Sequence, residues 1–81
     1  QSVKVYPNPA KDEIWLDLSD WEEAVSLIEI LDLQGRRVMH WQDPAGNSGK
    51  YRFDIQTLAK GQYAIRAYGK EVHQTRFVKT P

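Results

Sequence analysis

The chain contains no cysteine. This excludes a disulfide framework and a thiolate zinc site as sources of stability or chemistry, and it assigns no compartment by itself. No apolar run approaches the roughly 20 residues that a membrane-spanning helix requires. No charge of either sign is in excess. Eleven basic and eleven acidic side chains give a formal net charge of zero, which leaves nucleic-acid binding without its usual electrostatic support. Length is also scarce. At 81 residues the chain makes one domain that must fill its core well, since a chain of this size buries only roughly 60–65% of its unfolded surface. It opens on Gln1-Ser2, with neither Met nor an apolar leader. The expectation is a single domain over residues 1–81, excised from a larger protein.

What the chain does have is alternation. Val3 to Tyr6 is a short alternating segment ended by Pro7-Asn8-Pro9, because neither proline has an N–H for a ladder. Ile14, Leu16 and Leu18 share one face at period two, with Trp15 and Asp17 on the other. Residues 19–23 read as a polar loop. From Ala24 to Leu33 runs the longest apolar stretch, with Ile28 and Ile30 on one face and Leu27 and Leu31 on the opposite one. Apolar residues on both faces predict a central strand covered on two sides, or a face meeting a neighbouring chain, which leaves room for a homodimer. Arg37 to Trp41 forms the return strand. Asp43 to Gly49 is loop chemistry throughout. Tyr51, Phe53 and Ile55 alternate against Arg52 and Asp54, and Tyr63, Ile65 and Ala67 against Ala64 and Arg66. Val72 to Lys79 is a last strand. Seven short, evenly spaced strands indicate an all-β sandwich.

Two stretches carry local mechanism. In Asp32-Leu33-Gln34-Gly35, Asp32 accepts hydrogen bonds from the turn backbone. Gly35 takes φ > 0 without a Cβ clash, giving a hairpin with a built-in bulge. Ile28, Ile30 and Val38 are then expected in the core. In Leu58-Ala59-Lys60-Gly61-Gln62-Tyr63 the spacing is that of a Greek-key tyrosine corner, whose hydroxyl reaches back to the backbone of the crossing connection.

Charge is unevenly spread along the chain. Residues 1–35 hold eight acids against two lysines, whereas residues 60–81 hold five cations against one acid. Cancellation across paired strands is the ordinary expectation, and a basic C-terminal face for a partner is the alternative.

Catalytic and metal chemistry find little footing. His40 and His73 are the only histidines, and no nucleophile elbow surrounds Ser19, Ser26 or Ser48. Asp17, Asp20, Glu22 and Glu23 lack the alternating ligand loop of a calcium site. No enzyme activity, cofactor or metal is expected. Trp15, Trp21 and Trp41 suggest a second reading, an Ig-like accessory module that stacks on carbohydrate.

The chain resembles the C-terminal sorting domain of the type IX secretion system (Por secretion system), the export route of Bacteroidetes outer membranes. Four blocks in order carry the resemblance: Val5-Tyr6-Pro7-Asn8-Pro9-Ala10, Ile28 to Val38 with its Asp32-Leu33-Gln34-Gly35-Arg36 turn, Phe53 to Ile65, and Arg76-Phe77-Val78-Lys79. The resemblance implies a seven-stranded Ig-like Greek-key β-sandwich at the end of a secreted cargo protein. It implies passage through the periplasm and recognition by the outer-membrane translocon. In the family a sortase-like peptidase commonly then removes the domain and joins the cargo to an anionic lipopolysaccharide at the cell surface, and the resemblance implies no catalytic role for the domain itself. Carried over by position, Gly61 and Tyr63 match the Gly-x-Tyr element, and Arg76, Phe77, Val78 and Lys79 match the terminal recognition strand. Thr80-Pro81 follow Lys79, where family members often finish on a Lys-x-x-x-Lys-like strand.

Overall fold

The structure, a computed structural model, describes residues 3–21, 24–44, 46 and 49–81. Alternating apolar residues form seven strands: β1 (Lys4–Tyr6), β2 (Glu13–Asp17), β3 (Leu27–Leu31), β4 (Arg37–Gln42), β5 (Lys50–Asp54), β6 (Gly61–Tyr68) and β7 (Val72–Lys79). They make two antiparallel sheets, ordered β1-β2-β5 and β4-β3-β6-β7, with no helix among the described residues. The chain changes sheet after β2, β4 and β5, which gives the Ig-like Greek-key sandwich that the alternation and the resemblance predict.

The core lies between the sheets. Ile14, Leu16 and Leu18 from the first sheet meet Ile28, Ile30, Ile65, Ala67 and Phe77 from the second, all at 2% exposure or less. Each large apolar side chain removed from water here contributes roughly 1.5–3 kcal/mol. Tyr51 and Phe53 stack, and Trp41 packs on Phe53 with ring centroids 4.1 Å apart.

The β3–β4 hairpin forms as its turn chemistry predicts. The Gly35 N–H donates to the Asp32 carbonyl at 3.0 Å, and Asp32 N–H donates to the Arg36 carbonyl at 2.9 Å. Gly35 has φ +82° and open space where a Cβ would stand. One expectation needs correcting. Val38 is exposed at 41%, and Met39 and Trp41 pack on the core in its place. The register shifts between Ile30 and Leu31, pairing Ile30 with Met39 and Leu31 with Arg37. Val38 is the residue left over by this bulge, so inward parity passes to Met39.

The outer face of β3 also departs from expectation. Leu31 is buried there, but the residue between it and Leu27 is Glu29, 5% exposed. Its carboxylate bonds Arg37 Nε at 2.9 Å and the Tyr68 hydroxyl, and Arg66 Nη1 lies 3.7 Å away. Arg37 of β4 and Arg66 and Tyr68 of β6 thus pack around Glu29 on this face. The acids Glu22 and Glu23, considered for calcium, and Ser48, considered as a nucleophile, lie outside the described residues.

Candidate recognition surface

The first strand serves both sheets. Lys4–Tyr6 pairs with β2, after which the Pro7-Asn8-Pro9 segment carries the chain across to the free edge of β7. The Tyr6–Pro7 and Asn8–Pro9 peptide bonds are cis. With no N–H on either proline, the Asn8 side chain supplies the edge contacts. Its Oδ1 accepts the Val78 N–H at 2.9 Å and its Nδ2 donates to the Arg76 carbonyl at 3.3 Å. Ala10, fully buried, then pairs in parallel with β7. Its N–H donates to the Val78 carbonyl, and its carbonyl accepts the Thr80 N–H, both at 2.8 Å. The outward backbone groups of β7 from the Arg76 carbonyl to the Thr80 N–H are therefore occupied.

This geometry sorts the six candidate recognition residues. On β7, His73, Thr75, Phe77 and Lys79 face the core side and Gln74, Arg76 and Val78 face out. Phe77 is 1% exposed and stacks on Tyr63 with centroids 5.6 Å apart. Lys79 is 7% exposed, its Nζ donating to the Thr80 carbonyl at 2.8 Å. Tyr63 is buried too, and its hydroxyl donates to the Ala59 carbonyl at 2.6 Å, which makes the tyrosine corner. Arg76, Val78 and Gly61 are exposed. Gly61 holds φ +149°, a backbone region that side chains strain to reach. Tyr63, Phe77 and Lys79 are thus buried, while Gly61, Arg76 and Val78 are exposed. The basic strand does not offer both of its charges or its whole edge.

The hairpin tip and the tyrosine corner stand side by side. Leu33, 67% exposed, lines two shallow grooves. One, of about 170 Å³, is lined by Leu31, Gly35, Ala64, Arg66, Gln74 and Arg76. The other, an open groove of about 330 Å³, is lined by Gln34, Arg36, Val38, Lys60, Gly61 and Gln62. Asp32, Leu33 and Tyr63 border both.

Asp32 is internally satisfied. Its Oδ1 accepts the Gln34 and Arg36 N–H groups and its Oδ2 accepts Arg36 Nε, all at 2.9 Å. The Arg36 backbone N–H, with further help from its guanidinium and the Gln34 N–H, holds this carboxyl below its ordinary range against the upward push of burial. Arg66 donates to Gln74 Oε1 at 2.7 Å. Among the described residues no carboxylate bonds the Arg76 guanidinium or the Lys60 ammonium. Cancellation across strands is real elsewhere, in the Glu13–Arg52 pair at 2.6 Å and around Glu29, but it stops short of these two cations.

Among the described residues the rival chemistries are not assembled at one place. Ser26 Oγ donates to the Tyr68 carbonyl, and His73 packs edge-on against Trp21. No group of three or more metal-ligating side chains occurs among the described residues. The three tryptophans are separated. Trp15 lies on the outer face of β2 with Nε1 bonded to Glu13, Trp41 packs inward on Phe53, and Trp21 packs against the core beside His73.

The fold defines an Ig-like sandwich domain, with no assembled reaction centre among its described residues. The sequence pattern of the secretion system C-terminal sorting domains matches residues 4–79, from the first residue of β1 to the last of β7. The chain belongs to that family, the C-terminal sorting signals of type IX secretion. It therefore works with the type IX machinery, which exports its cargo to the cell surface or the medium. A comparison with curated proteins finds no match. No helix among the described residues is long and apolar enough to cross a membrane.

Proposed function

We propose that residues 1–81 form one self-sufficient, non-catalytic export signal at the end of a larger cargo protein. The cargo crosses the periplasm, and the folded domain is read by the outer-membrane translocon. A sortase-like peptidase then removes the domain and attaches the cargo to lipopolysaccharide at the cell surface. One observation carries this reading: the family match spans every strand, which supports taking the whole sandwich as the signal. The exposed Gly61, Arg76 and Val78 are the direct contacts, and Tyr63, Phe77 and Lys79 hold them in place.

The test is a fusion of residues 1–81 to a passive reporter that carries an ordinary export signal. In a type IX-competent host the reporter reaches the cell surface, and a mass decrease corresponding to the domain marks its removal. Periplasmic retention of a folded fusion overturns the sorting reading. Surface arrival at full mass overturns only the cleavage step.

A further inference from the structure

Strand addition along the C-terminal half of β7 is blocked, because Asn8 and Ala10 already occupy its edge from the Arg76 carbonyl to the Thr80 N–H. A receptor that reads this end of the folded domain must read side chains on its face. The face beside β7 carries the paired grooves around Leu33. Their rim holds Arg36, Lys60, Arg66 and Arg76; Arg36 is taken by Asp32 and Arg66 lies 3.7 Å from Glu29, which leaves Lys60 and Arg76 without a carboxylate among the described residues. Lys60 and Arg76 line different grooves, and the exposed Leu33 lines both, together with Asp32 and Tyr63. Exposed cations without a carboxylate partner attract carboxylates, and an exposed leucine beside a groove favours an apolar contact.

Resting on the sorting reading above, we propose that these grooves dock one polypeptide segment of the export receptor. The segment carries carboxylates that meet Lys60 and Arg76 on either side of an apolar residue packed on Leu33. The groove setting, with cations at the rim and a single exposed leucine lining both grooves, fits a chain segment better than a flat anionic membrane, which would favour a broad convex basic patch.

The test uses the reporter fusion with Arg76→Glu, Lys60→Glu, both together, Arg76→Lys, Leu33→Asp, and Lys50→Glu on the opposite sheet as control. Melting of each purified domain is measured alongside. Expected is a loss of export of about tenfold or more for either groove reversal, greater for the pair. Arg76→Lys and Lys50→Glu export normally, and the charge variants melt as the parent does. The proposal is overturned if folded groove reversals export normally, or if Lys50→Glu is equally harmful. It is also overturned if phosphatidylglycerol vesicles bind the parent and not Arg76→Glu, which assigns the rim to a lipid surface. A parent domain that is a dimer, and a monomer as Leu33→Asp, would make the groove a contact between copies and overturn it too. If Leu33→Asp fails to fold, the exposed-charge variants carry the test. A parent fusion that is not exported defeats the sorting reading itself and is distinguishable from all of these.

Discussion

The Asn8 carboxamide stands in for a strand: its Oδ1 accepts the Val78 N–H at 2.9 Å, across 70 residues of sequence. Two prolines flank Asn8, so the backbone of this segment has few donors of its own. The side chain completes an edge that the backbone cannot, and it leaves β7 covered where its C-terminal half would otherwise invite pairing.

Replacing Asn8 with Ala leaves the Val78 N–H without its protein acceptor. The expected cost is about 1 kcal/mol, seen as a fall in Tm of about 4–8 °C. Amide hydrogen exchange at Val78 should accelerate selectively. Asn8→Asp keeps the acceptor and should recover most of the protection, because the bond it loses is the longer one, at 3.3 Å. Unchanged exchange at Val78 in Asn8→Ala would show that the edge is held by Ala10 alone.

Tyr63→Phe removes the 2.6 Å bond to the Ala59 carbonyl and leaves the ring stacked on Phe77. A loss of about 1 kcal/mol in urea unfolding is expected, with an unchanged m-value. A midpoint equal to the parent's would remove the corner from the account of stability.

Gly35→Ala meets no atom, so its cost is the backbone strain of φ +82° alone. About 1 kcal/mol is expected. Export of the folded fusion should persist if, as proposed, the hairpin turn sets register and Leu33 provides the contact. Loss of export with unchanged melting would move function into the turn itself.

Acid should weaken the domain through Glu29. Burial pushes this carboxyl up, but the hydrogen bonds from Tyr68 and Arg37 and the charges of Arg37 and Arg66 outweigh it. The folded value lies below the ordinary 4.5. A depressed value means that the stabilisation is complete above the unfolded pKa and is lost as pH falls through the folded one. Glu13, Asp17 and Asp32, also lowered, act in the same direction. Between neutral pH and about pH 3, Tm should fall less in Glu29→Gln than in the parent. Parallel curves would show that Glu29 is not coupled to folding.

Much of the fold was legible because period-two alternation and turn chemistry are local. Ile14, Leu16, Tyr63 and Ile65 face the core as their spacing requires, and Gly35 sits where a turn needs positive φ. The last strand runs over Val72–Lys79 as read. Val38 was misplaced because a bulge shifts parity by one residue, and a pairing partner on β3 decides that. Glu29 was overlooked because a lone acid in an apolar strand shows nothing of the Arg37, Arg66 and Tyr68 side chains that surround it. The opening Tyr6-Pro7-Asn8-Pro9 was visible as a strand end. Its contact with Val78 was not, since no local pattern connects the two ends of the chain.

The sequence alone determined the strands, the β3–β4 turn, the tyrosine corner and the family resemblance, all set by short-range backbone preference, side-chain periodicity and motif order. Tertiary structure decided which charges remain available. It buried Lys79, set Arg66 beside Glu29, and left Arg76 and Lys60 exposed in the grooves that Leu33 lines. Availability depends on which strands become neighbours, and that follows from how the two sheets close over one core.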